Sequence, residues 1–172
     1  IRRCPDLDWL LLTKRPESFF GREAHEHKPS RLGLAQEYAL ANSRHELFGW
    51  LCEWGNGKPP HNIWLGTSVE NQDQADKRIP ELLKVPARVR FLSMEPLLSA
   101  VDLTHLGASS LTTYPFMDCL RGKEQPGPYL RDAKVDWVIV GCESGVNRRD
   151  GERYAERARG LRKQCSRAGL TV

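Results

Sequence analysis

Four short apolar runs in this chain each stop at a polar cluster that carries a glutamate: DWLLLTKRPE at 8–17, NIWLGTSVE at 62–70, RVRFLSMEP at 88–96 and DWVIVGCESG at 136–145. Runs of Trp, Leu, Ile, Val and Phe without polar alternation fit strands buried on both faces, the condition of a parallel sheet. Successive parallel strands require crossover connections, so their polar ends gather at one edge. Ligands of α/β proteins bind at the carboxyl ends of such strands, where loops converge on a rigid base. The expected fold is therefore α/β: a partial (β/α) barrel, or an open, mainly parallel sheet with crossover helices.

Helical patterns fill the connections. Asn71 can cap a helix reaching about Lys84, with Ala75, Ile79, Leu82 and Leu83 on one side and with Pro80 expected to kink or divide it. A second helix is predicted over 152–168, with Tyr154, Ala158, Leu161, Cys165 and Ala168 as its apolar stripe and Gly169 as a left-handed stop. A longer one over 34–54, with Leu34, Tyr38, Ala41, Phe48 and Cys52 on one side, ends at the turn-rich GNGKPP of 55–60. Periodicity fails between 99 and 134, so 104–134 reads as an irregular insertion, or as a lid over the cluster edge. The whole of 1–172 makes one α/β domain. Its opening on Ile1 and a closing GLTV that looks like the start of another strand read as an excerpt of a longer protein.

Composition narrows the class. With 40% hydrophobic and 28% charged residues the chain is neither disordered nor membrane-spanning, because no apolar run approaches the roughly 18 residues a bilayer needs. No charged-then-apolar leader opens it, so a cytoplasmic location is the default expectation. The net charge of +4 is concentrated between Arg148 and Arg167, as a solvated helix face or a surface for phosphates. Five scattered cysteines make neither a disulfide framework nor a metal-ligand spacing. Cys142 alone falls inside a cluster; Cys4, Cys52 and Cys165 read as small core hydrophobes or bystanders. All five histidines lie outside the clusters, so no metal site is expected within this chain. P-loop, GxGxxG, GxSxG and HExxH patterns are absent, which argues against the common NTPase, dinucleotide, esterase and zinc-protease classes.

The clusters themselves suggest binding chemistry. Lys14 and Arg15 follow the first strand and suit a carboxylate or phosphate, with Pro16 placed for a first helical turn. Ser68 and Glu70, two residues apart, share a face if the second strand continues through them; Ser93 and Glu95 repeat that spacing after the third. After the fourth strand, Glu143 and Ser144 stand between Gly141 and Gly145, which allow close approach of a ligand. Glu70, Glu95 and Glu143 are costly to desolvate unless cations, a metal or a ligand meet them. Lys14, Arg15 and Arg78 are the natural partners, in a structural ring of ion pairs or in a binding site.

LLTKRPE, NIWLGTSVENQ, ADKRIPELL, PARVRFLSMEPLL, DWVIVGCESG and LRKQCSRAGL together resemble successive motifs of an uncharacterised family named after phage gene products thirty-seven and sixty-eight, found in phages and bacteria. The resemblance runs from Asp8 to the end, broken around 20–60 and 104–134. Members of that family typically carry an upstream three-cysteine motif and resemble radical S-adenosylmethionine (SAM) enzymes with a partial or full barrel. The Thr-Lys strand end is similar to that of the spore photoproduct lyase group. The resemblance implies SAM and a [4Fe–4S] cluster as cofactors. It further implies that Ser68 and Glu70, with Asn71 beside them, hold the ribose or amino group and that Lys14 holds the carboxylate. Arg15, Arg78, Ser93, Glu95, Glu143 and Ser144 would orient substrate or cofactor. The cysteine motif is missing here, so the chain alone is not expected to perform radical chemistry, and Cys142 stands where a glycine is commoner. The substrate expected from this setting is unknown, with nucleic acid a candidate. Two readings from other classes stand beside it: a non-catalytic nucleic-acid or protein-interaction module using the arginine-rich 148–167 region, and a carboxylate hydrolase with Glu95 and Glu143 as acid and base.

Overall fold

The computed structural model describes residues 4–20, 30–107, 117–122, 133–142 and 151–170. Four strands, β1 (Trp9–Thr13), β2 (Ile63–Ser68), β3 (Val89–Met94) and β4 (Trp137–Val140), form one sheet in that order, with every pairing parallel. The fold is thus an open parallel sheet with crossover helices. The registers Thr67↔Leu92 and Leu92↔Val138 put Leu65, Leu92, Met94 and Val138 on one face. Against that face pack Ala75, Ile79, Leu82 and Leu83 of α3 (Gln72–Leu83), together with Leu161 and Cys165 of α4 (Gly151–Arg167), all buried in a single core. Helices on the same face are the winding of a barrel rather than of a doubly wound sheet.

The opposite face has a different character. Trp64, Phe91 and Trp137 form a cluster there, with ring centroids 5.9 Å apart for both Trp64–Trp137 and Phe91–Trp137. Phe91 lies over Gly66, where any Cβ would overlap its ring. At the carboxyl end of this face stand the cross-strand partners Ser68 and Ser93.

The connection from β3 to β4 has no helix among its described residues. Its described parts fill the layer between α3 and α4: Leu103, Leu106, Met117, Cys119 and Leu120 are buried in the main core. Side-chain amides from α3 and α4 hold its first part. Gln72 Oε1 accepts from the Asp102 amide at 2.7 Å, and Gln164 accepts from the Leu103 amide at 2.8 Å while donating to the Val101 carbonyl at 2.9 Å. The stretches 108–116 and 123–132, with Tyr114 and Phe116, lie outside the described residues, as does any lid they would form.

Three sequence expectations need correction. β1 is not buried on both faces: Leu10 is 47% and Leu12 52% exposed, because β1 is an edge of the described sheet and its open-face side chains meet no covering element. The helix over 34–54 is two helices, α1 (Arg31–Ala41) and α2 (His45–Gly55). Asn42 and Ser43 break it: the Asn42 side chain donates to the Tyr38 carbonyl, Ser43 takes a positive φ of 53°, and the Arg44 amide turns back to the Ala39 carbonyl. That break rotates the buried side to Leu32, Ala39 and Leu51 and leaves Leu34 and Tyr38 exposed. Pro80 does not divide α3, whose apolar stripe is buried on either side of it. The α4 stripe stands as expected, with Leu161 and Cys165 buried and Tyr154 and Ala168 packed on the core, and Gly169 closes the helix at φ 77°. Residues 171–172, the end of the supposed last strand, lie outside the described residues.

Candidate functional site

The polar clusters meet at the carboxyl edge because the strands are parallel and their loops bond to one another. The Val69 amide donates to the Ser93 carbonyl at 2.9 Å and the Leu98 amide to the Glu70 carbonyl at 2.8 Å; the Leu97 amide donates to the Gly141 carbonyl at 3.2 Å. The loop after β3 is thereby held between those after β2 and β4.

Glu70 organises this edge. Its carboxylate receives Lys14 Nζ at 3.0 Å on one oxygen and Arg78 Nη1 at 2.9 Å on the other, and the same Arg78 nitrogen donates to the Ser68 carbonyl at 2.7 Å. Burial raises the Glu70 pKa, but the Lys14 hydrogen bond, its own backbone and the Arg78 and Lys14 charges outweigh it, and the net direction is down. The Glu70 side chain is 14% exposed while that of Lys14 is 67% exposed. Arg78 is therefore the fixed, inner partner and Lys14 the outer, accessible one.

Glu95 contrasts with Glu70. The register that pairs Ser68 with Ser93 brings Glu70 and Glu95 to the same level on neighbouring strand ends. Glu95 is exposed and makes no ion pair among the described residues. It lies against Gly141, where a Cβ would overlap its carboxylate. Ser68 and Ser93 are only 6% and 9% exposed, and neither hydroxyl has a hydrogen-bond partner among the described residues.

The remaining expected site residues divide clearly. Asn71 is engaged as the N-cap of α3, its Oδ1 accepting from the Gln74 amide at 3.0 Å. Arg15 is not drawn into the Glu70 cluster; it lines a cavity beside β1. Glu143 and Ser144 lie outside the described residues, as do Arg148 and Arg149, whereas Arg159, Arg162, Lys163 and Arg167 are exposed on α4 without an ion pair among the described residues. Tyr154 was legible only as part of the α4 stripe. Tyr154 packs on the main core, and its pKa is raised, by burial first and then by Cys142 and Glu95. The signal was positional: the first turns of a helix that follows a parallel strand begin at the carboxyl edge.

Cysteines supply no ligand set. Cys119 and Cys165 are buried, and burial pushes both thiols up, while Cys4 and Cys142 are exposed and Cys52 half-buried. Among the described residues no three His, Cys, Asp or Glu side chains come together as a metal site.

A protein-family profile described as a protein of unknown function, DUF5131, matches residues 1–172. The chain belongs to this family. No curated protein and no solved structure matches it. Among the described residues of this DUF5131 chain, no helix is long and apolar enough to cross a membrane. Among the described residues, the carboxyl edge of this chain presents the exposed Lys14 ammonium, the Glu95 carboxylate without an ion pair, and the Ser68 and Ser93 hydroxyls above an aromatic face.

Proposed function

We propose that this edge binds the nucleoside and amino-acid parts of SAM, as the ligand side of a radical-SAM-like enzyme. The observation that carries the reading is the placement of opposite charges on adjacent strand ends. Glu70 draws Lys14 Nζ over the end of β2, one strand from the unpaired Glu95. Neighbouring strands are roughly 4.8 Å apart, a span that an α-amino acid bridges with its carboxylate toward Lys14 and its ammonium toward Glu95. Ser68 and Ser93 offer hydroxyls for a ribose, and the Phe91–Trp137–Trp64 face offers an apolar surface for a base. Both oxygens of Glu70 already hold cations, so its role in this reading is to position Lys14 rather than to take the ligand's ammonium. The five cysteines do not fit a [4Fe–4S] cluster, because two are buried in the core and no three metal-ligating side chains converge among the described residues. In the radical-SAM-like reading the cluster thiolates therefore belong to another segment.

Calorimetric titration with SAM tests the site directly. Lys14→Met and Glu95→Gln should each weaken binding roughly tenfold, the loss of one charge-assisted contact. Methylthioadenosine, which lacks the amino-acid end, should bind the wild type and both variants alike. Wild-type protein that binds no SAM, or variants that bind SAM as the wild type does, would remove this reading.

A further inference from the structure

We infer that β1, at the edge of the described sheet, carries a second ligand site, independent of the carboxyl-edge reading, for a small anion with an apolar body. A cavity of about 270 Å³ opens there between β1, the 3₁₀ turn at Pro16–Ser18 and the start of α1. Leu11, Leu12, Leu65 and Phe19 make its apolar walls, and Arg15 and Arg31 stand at its rim. The space is a groove partly open to solvent, with apolar side chains along its floor. It is rather under twice the roughly 150 Å³ of a cavity that takes up benzene, which sets a ligand body on the order of ten non-hydrogen atoms.

The rim fixes the sign of the ligand. Arg15 reaches Glu17 only at 4.0 Å with its side chain 74% exposed, and Arg31 makes no ion pair among the described residues. The Arg15 backbone is held on both sides, its amide donating to Thr13 Oγ1 at 3.0 Å and its carbonyl accepting from Ser18 Oγ at 2.7 Å. The root of the Arg15 side chain is therefore fixed beside the pocket, and Arg31 is the first residue of α1, a turn that has no acidic residue. Two planar forks of this kind suit a carboxylate or a phosphate monoester. The ligand class is thus a phenyl-sized or branched apolar group bearing one such head.

The test uses phenyl phosphate and phenylacetate for the two head groups and inorganic phosphate for a head without a body, each titrated calorimetrically into the whole chain. At least one aromatic anion should bind, with inorganic phosphate at least tenfold weaker. The double variant R15Q/R31Q should lose at least tenfold, and Leu12→Trp, which fills the cavity from an exposed strand position, should abolish binding without altering the melting temperature. Lys14→Met should leave the affinity unchanged, and R15Q/R31Q should leave SAM binding unchanged, so the two sites fail separately. Aromatic anions that bind no tighter than inorganic phosphate would overturn the site. So would an unchanged affinity in R15Q/R31Q, or an equal loss in Lys14→Met.

Discussion

The two edges of this sheet handle polar groups in opposite ways. At the amino edge most of them are bonded within the fold, the buried Arg90 Nε excepted: Asn62 Nδ2 donates to the Cys4 and Leu7 carbonyls, the Trp9 amide donates to the Asn62 carbonyl, and Trp54 Nε1 donates to the Pro86 carbonyl at 2.7 Å. Arg90, almost fully buried, donates to the Val85 carbonyl at 2.8 Å, while its amide is held by Asp136. At the carboxyl edge Glu70 is matched twice, yet Lys14 stays exposed, and among the described residues Glu95 has no ion pair and the Ser68 and Ser93 hydroxyls no hydrogen bond. One edge closes the fold, and the other leaves charge and hydroxyls outside its internal bonding among the described residues, as the proposed ligand site requires. This is the division between stability and chemistry expected at the two ends of parallel strands.

The contrast can be broken most directly at the amino edge. Arg90→Ala removes buried stem packing and strands the Val85 carbonyl, so chemical denaturation should show a loss of about 3 kcal/mol, with SAM binding by the folded protein intact. A variant that keeps its stability but loses ligand affinity would invert the assignment of the edges. The two glycines sharpen the comparison. Gly66→Ala drives a methyl into the buried Phe91 ring and should cost about 2 kcal/mol. Gly141→Ala would meet the Cγ, Cδ and Oε1 of Glu95, an exposed side chain that can turn away, so stability should fall less than at Gly66 while the displaced carboxylate weakens the proposed SAM binding. Equal destabilisation by the two substitutions would show that Gly141 is a packing residue.

Smaller effects follow at the carboxyl edge. Asn71→Ala should cost about 1 kcal/mol in denaturant titrations through loss of the α3 cap, without a direct effect on the ligand. Because the Glu70 pKa is lowered in the folded state, its contribution to stability is full above the ordinary carboxyl value of 4.5 and is lost as pH falls through the lowered value. Glu70→Gln should flatten that acid limb of the melting-temperature profile; an unchanged limb would show that other carboxylates cause it. Lys14→Met, at an exposed pair, should change stability by no more than about 0.5 kcal/mol despite its effect on binding.

How much could be read in advance follows element by element. β2 and β3 were legible as buried strands because their apolar runs do face a core and an aromatic layer. β1 carries the same signal, WLLLT, but lies at an edge, and edge position is not written in a strand's own residues. In the helical region, apolar spacing across 34–54 outweighed the short turn at Asn42 and Ser43, although side-chain competition for backbone groups makes such residues helix breakers. Among site residues, sequence singled out Lys14, Glu70 and Arg78 as charges needing partners, and the structure joins them. It could not tell that Glu70 would be saturated and Glu95 left free.

The sequence by itself determined the alternation of strand and helix, the parallel sheet and the single edge on which its polar clusters fall, because apolar run length and helical periodicity are local properties. Tertiary structure decided which cation meets which carboxylate, that Arg15 lines a separate cavity and that Tyr154 packs on the main core. Those outcomes depend on strand register and on the packing of helices against one face. Ion pairing acts over a few ångströms between residues far apart in the chain, and only the assembled fold sets those distances.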